Sequence, residues 1–334
     1  MNKSSTCIAV VLFQILVTTS FGDESDSTAS AASASETVTT ESDTVYRLAY
    51  RFAAGQKLSF RTIKTATTEA MWQENRKTDD TETEEHRRFT VHSVKESKAA
   101  DISMQFEYVR LQNRTNGGPW ERFDTRMKPS EIPAGMRSIV EQLKGKAPIF
   151  FIQSDGSCGI TAPQKKDADQ YSSESFLITL PDHGVKIGES WSQTQQAKVR
   201  LNKEISRQID ILQTYRLVSV RDGIAEISMN SSLNGPSLSP HVRAQLIQST
   251  PRGTLHFDMN QGIMIRRQWR FDQLVINAMG ENTALRSFGT YTDEYIPGNS
   301  ADTEIQPVSA KESGAGVISA GGKQSDEKTT PKTE

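Results

Sequence analysis

After Val17 the chain has no long apolar run. A helix crossing a bilayer takes about 20 apolar residues, so no later segment is expected to span one. Cysteine is nearly absent: Cys7 and Cys158 are the only two. Cys7 lies ahead of the apolar stretch Ile8–Val17, not at its end where a lipidated cysteine would stand. An excess of charge is missing too. The formal net charge is −2, with Lys and Arg dispersed along the chain, so no basic field points to nucleic acid.

Signatures of catalysis are also lacking. The five histidines, His86, His92, His183, His241 and His256, show no close helical zinc spacing, and no CxxC exists. There is no GxSxG elbow, no SxxK and no phosphate-cradling P-loop. No catalytic, cofactor-binding or metal-ligating residue is assigned, and no cofactor is expected. The acidic stretch Asp79, Asp80, Glu82, Glu84 and Glu85 lacks the glycine and ligand spacing of a calcium loop. It reads as a solvated acidic loop.

What is present begins with an export signal. Lys3 supplies the positive end, Ile8–Val17 is broken only by Gln14, and Ser20 and Gly22 fit a signal-peptidase site. Residues 1–22 are therefore expected to be removed, leaving an exported protein, periplasmic or extracellular. Cys158 then stands alone and cannot form an intramolecular disulfide. It reads as a small buried residue. Residues 23–43 and 297–334 are Ser-, Thr-, Gly- and charge-rich, and are expected to be disordered.

Alternation dominates the region between. Ile102, Met104, Phe106 and Tyr108 share one parity, and Ala197, Val199, Leu201, Ile205, Ile209, Ile211, Tyr215 and Leu217 share another. Successive strand side chains point to opposite faces, so these are half-buried strands. Leu255, Phe257 and Met259 repeat the pattern, as do Ile265, Trp269 and Phe271, with Arg267 interrupting the last run. Polar outer faces imply antiparallel sheets. The fold class expected is mainly β: antiparallel meanders in a β-sandwich or half-barrel-like unit, with two short helices. Met136, Ile139, Val140 and Leu143 mark one helix; Ser239 and Pro240 start the other, with Val242 and Leu246 on its apolar side.

Short strings recur in order. Ser93–Met104 resembles Ser219–Met229, and Met136–Gly156 aligns with Val242–Gly262, pairing Phe151 with Phe257. Two related halves follow, 44–160 and 184–296, joined by a connector at 161–183, with an extra hairpin inserted near Gln112–Ser130.

Gly188-Glu189-Ser190-Trp191, Ala244-Gln245-Leu246-Ile247-Gln248, and Gly253-Thr254-Leu255-His256-Phe257-Asp258 with Gly262 resemble an uncharacterised family of secreted β-rich proteins of planctomycete-type bacteria. The resemblance implies bacterial export and carries over no activity and no site residue. The functional expectation is a non-enzymatic binding or envelope-interaction protein with an unknown partner. One alternative is a carrier of apolar, lipid-like ligands in a β cavity. The other is a hydrolase with a dispersed site.

Overall fold

The computed structural model describes residues 44–128, 130–132, 149–160, 177–201, 205–233 and 238–298. The export signal, residues 23–43, the helix expected at 136–143, most of the connector and nearly all of the tail lie outside the described residues.

The expected mainly β, antiparallel architecture is present as one open sheet, not closed into a barrel. Three long strands begin it: β1 (Lys57–Trp72), β2 (Asn75–Val94) and β3 (Ala100–Thr115). Three short ones follow: β4 (Glu121–Asp124), β5 (Ile149–Ile152) and β6 (Cys158–Ile160). A second meander holds β7 (Ser190–Arg200), β8 (Ser206–Arg221) and β9 (Ile224–Leu233). Helix α1 (Pro240–Leu246) and a 3-10 turn (Ile247–Ser249) then lead to β10 (Arg252–Asp258), β11 (Ile263–Ile276) and β12 (Thr283–Ile296). Their order across the sheet is β6-β5-β3-β2-β1-β12-β11-β10-β9-β8-β7, with β4 on the far part of the β3 edge. Tight turns follow from residues that tolerate positive φ: the β8–β9 hairpin turns on Asp222 and Gly223, at φ 51° and 79°.

One face of the sheet builds the main core. Leu58 and Phe60 of β1, Phe89 and Val91 of β2, Ile102 of β3, Phe150 and Ile152 of β5, Tyr215 and Leu217 of β8, Ile227 of β9 and Leu255 and Phe257 of β10 join a single buried cluster. Two chain segments cover it. Residues 44–56 form a strap that places Leu48 and Tyr50 in the cluster, and residues 177–187 add Leu177, Ile178, Leu180 and Val185. The strap is pinned at both ends of the cluster. Tyr46 bridges to Val185, the Tyr50 amide donates to the Ser154 carbonyl, and the Arg51 amide donates to the Gly262 carbonyl.

Helix α1 covers a second part of the same face. Ser239 precedes it, Pro240 opens it, and Val242 and Leu246 are buried against Val199, Ile209 and Ile211. Ile247 packs with Phe271, Val275 and Leu285.

Several sequence expectations shift in register. Leu201 and Ile205 are exposed, because the β7–β8 hairpin reverses there and the inward parity resumes only at Ile209. Tyr108 points to the face opposite Ile102, since a bulge at His86/Arg87 inserts one β3 residue and flips the parity beyond it. Phe257 is fully buried, whereas Phe151 lies half-buried on the other side of β5, under the Lys95 ammonium at 4.2 Å. The acidic stretch is not a loop; it lies within β2. Cys158 is exposed on the three-residue edge strand β6 rather than buried. Partial burial pushes its thiol up, which disfavours the nucleophilic thiolate.

Candidate functional site

Two polar constellations stand out, one on each face of the central strands. The inner one lies between the strap-covered and helix-covered clusters. Thr62 and Lys64 of β1, Glu85 and Arg87 of β2, Arg267 of β11 and Asp293 of β12 are all buried. Asp293 is the hub. Its Oδ1 accepts from Thr62 Oγ1 at 2.6 Å and from Arg87 Nη2 at 3.0 Å; its Oδ2 accepts from Arg267 Nη2 at 3.0 Å. Arg267 Nη2 also donates to the Tyr291 hydroxyl at 2.6 Å, and its guanidinium stacks 4.5 Å from the Trp269 ring centre. The Lys64 ammonium lies 3.3 Å from Glu85.

Burial disfavours the charged carboxylate of Asp293, but Arg87, Arg267 and the Thr62 hydroxyl outweigh it and hold the group below the usual carboxylate range. Asp293 is thus ionised and committed at neutral pH. It has neither the raised pKa nor the solvent access of a general acid. Buried charges persist in an interior only when paired and hydrogen-bonded, and this layer meets that condition.

The outer constellation is open. A groove of about 410 Å³ runs across β2, β1, β12 and β11 on the face away from the core. Its floor is Thr65 and Thr290, cross-strand partners whose hydroxyls share a 2.8 Å hydrogen bond. One wall carries Asp80, Glu82, Arg114 and Trp120; the other carries Arg270, Asp272 and Phe288. Strand period places them together: Thr67 pairs with Asp80 and Phe288, Asp80 with Arg114, and Phe288 with Asp272.

Every acid on these walls is engaged. Asp80 accepts from Thr67 Oγ1 and Arg114 Nε, each at 2.7 Å, which holds its pKa down. Glu82 accepts from Arg110 at 2.9 Å. Asp272 takes two bonds from Arg286, both 3.0 Å, and is likewise held down. The aromatic rings are flanked by cations: Arg114 lies 4.6 Å from the Trp120 ring centre and Arg286 4.9 Å from that of Phe288.

The histidines are scattered. His86 contacts Glu84, His92 contacts Ser103, His183 contacts Asp182 and His241 contacts Gln245. His256 lies on the outer side of β10, with Nδ1 buried and unpartnered among the described residues. No cluster of three metal-ligating side chains occurs among the described residues. The inner charge layer was legible in part: Arg267 breaks an apolar parity, which is what an inward charge looks like in sequence. The groove was not legible, because its walls come from four strands whose pairing order no local pattern specifies.

Residues 166–264, less than half of the chain, match a protein family described as "Family of unknown function (DUF6263)". Among curated proteins, none matches the chain. A structure titled "Lipid-protein interactions in lipovitellin" aligns at TM-score 0.44 and 11% identity, covering 74% of this chain and 26% of the other. The chain thus spans about a quarter of that lipovitellin chain. A DUF1329 family protein from Desulfovibrio piger aligns at TM-score 0.14 and 9% identity, over 71% of this chain and 83% of the other. A putative outer membrane lipoprotein-sorting protein domain from Vibrio parahaemolyticus aligns at TM-score 0.14 and 10% identity, over 71% and 86%. Agreement this loose leaves function to be read from the geometry of the chain itself. No helix among the described residues is long and apolar enough to cross a membrane.

Proposed function

We propose that the protein is an exported, non-enzymatic binding protein of the cell envelope, which presents the outer groove to its ligand. One observation carries this reading: the apolar face of the sheet is filled by the strap and by residues 177–187, while the outer face holds an open groove of about 410 Å³. Ligand sites span roughly 300–1,000 Å³, so the groove has the size of one. An apolar carrier needs space for an acyl chain. The apolar fissure beneath Tyr50 and Phe52 measures about 20 Å³, room for about one water molecule. A hydrolase needs an accessible acid or base. The buried carboxylates of the inner layer are tied to guanidinium and ammonium groups instead.

The test compares wild-type protein with a groove-filling variant. Thr290→Trp puts a bulky ring on the groove floor, at an exposed strand position that tolerates aromatics. Both proteins are incubated with envelope extract from the native host, re-isolated, and their bound material is identified by mass spectrometry. Wild type is expected to retain a ligand that Thr290→Trp loses. Equal retention by the two would exclude the groove. Recovery of lipid from both would favour the carrier instead.

A further inference from the structure

We propose that the groove takes an acidic glycan: a chain of sugar rings bearing carboxylates spaced by neutral hydroxyls. This rests on the groove being the binding site. The first observation is a charge imbalance beside one wall, where Arg270 lines the groove and Arg252 is its cross-strand neighbour. Arg252 of β10 and Arg270 of β11 are directly opposite each other in the sheet register, and both are exposed. Like charges at opposed positions repel, and here neither guanidinium has a hydrogen-bonding or ion-pair partner among the described residues. The carboxylate that acts on Arg252, Asp272, is already held by both arms of Arg286. Arg252 and Arg286 thus act on one carboxylate, and Arg270 adds a further positive charge opposite Arg252. A local conflict that the fold leaves uncompensated is the pattern expected of a site awaiting an anion. A guanidinium fork offers a carboxylate paired, charge-assisted hydrogen bonds.

The remaining groove chemistry says what the anion is attached to. Across from Arg270, the wall carries Asp80 and Glu82. Paired with Arg114 and Arg110, these carboxylates leave this wall without the excess positive charge that a densely charged polyanion, such as a nucleic acid strand or an anionic membrane surface, would require. They would accept hydrogen bonds from sugar hydroxyls. The Thr65 and Thr290 hydroxyls on the floor can donate or accept toward the same groups. Trp120 is 41% exposed and Phe288 is half-buried. Their rings offer flat apolar faces to the C–H faces of sugar rings. Acid-spaced sugars match a groove with one cationic wall, one hydroxyl-accepting wall and an aromatic at each side.

Affinity electrophoresis of the full mature protein tests this, using gels containing polygalacturonate, alginate or hyaluronate, with neutral dextran and dextran sulfate as comparisons. At least one carboxylated glycan is expected to retard the protein, and dextran is not. Arg252→Gln combined with Arg270→Gln should weaken that binding about tenfold or more, the loss expected for charge-assisted hydrogen bonds. Trp120→Ala should weaken it as well, while Arg221→Gln, an exposed arginine at the far end of β8, leaves it unchanged. Melting curves confirm that each variant is folded. Retardation that ignores the arginine pair or Trp120 would overturn the proposal, as would equal retardation by dextran sulfate independent of Trp120. Binding only to phosphatidylglycerol vesicles would overturn it in favour of a membrane surface. Failure with every glycan would overturn the ligand class, while the Thr290→Trp comparison with envelope extract decides separately whether the groove binds at all.

Discussion

Asp293 shows how much one buried charge carries here. Two guanidiniums and a hydroxyl converge on it inside an apolar surround, so removing it leaves Arg87 and Arg267 facing each other without their shared anion. Breaking a buried pair by deleting one partner costs about 3–5 kcal/mol. Asp293→Ala is therefore expected to lower stability by about that much in urea unfolding. The pH dependence has a definite sign. The folded carboxyl titrates below its unfolded value of about 3.9. Its contribution is therefore present in full above that value and is lost as pH falls through the depressed folded pKa. The melting temperature of wild type should drop on acidification below about pH 4, and Asp293→Asn should flatten that part of the profile. A wild-type profile that Asp293→Asn leaves unchanged would show that other carboxylates govern acid stability.

At the scale of elements, the strap explains two glycines. Gly156 in the β5–β6 turn and Gly262 in the β10–β11 turn have φ 84° and 67°. Both turns also meet the strap. A Cβ on Gly156 would run into Tyr50 and the Ile178 carbonyl; one on Gly262 would stand 2.5–2.6 Å from Arg51. Positive φ and close approach together exclude any side chain. Gly262→Ala is expected to cost about 2 kcal/mol or more, from left-handed strain plus the displaced strap. Gly55→Ala shares the positive φ but meets no neighbour, and should cost only the backbone part. Equal losses in the two variants would show that strap contact contributes nothing. The asymmetry also marks what sequence can tell. The helix start at Ser239-Pro240 was readable from local chemistry. Tyr108 and Phe151 were misplaced, because one bulged or shifted residue inverts every later side chain and leaves no local mark. Acids in a run, as in β2, look solvated until their partners on β1 and β3 are known: Arg61 and Arg110 for Glu84, Lys64 for Glu85, Arg114 for Asp80.

At the scale of the molecule, continuity governs behaviour. Strands β3-β2-β1 and β10-β9-β8 both carry residues into one buried cluster, and β12 pairs with β1 on one side and β11 on the other. The strand order is similar on the two sides of β12: a three-strand meander, then further antiparallel strands placed beside the third strand of the meander. That likeness supports a duplicated origin as a proposal resting on connectivity, since the register pairing Phe151 with Phe257 does not hold. Whatever its history, the main core is common to both sides. The strap enters from the N-terminal side and binds turns of both, through Ser154 and through Gly262. One cooperative transition is therefore expected in calorimetry, with the calorimetric and van't Hoff enthalpies equal. If residues 1–22 are removed as expected, trimming the remaining chain to 44–298 should leave the melting temperature unchanged, because residues 23–43 offer almost no apolar side chain to dock. Trimming further, to begin at residue 54, removes Leu48, Tyr50 and Phe52 from the cluster. Loss of one large buried side chain costs about 2–5 kcal/mol, and a domain is stable by only about 5–15. The shorter chain should unfold at much lower temperature or fail to fold, and two resolved transitions in the intact protein would show that the sides fold separately.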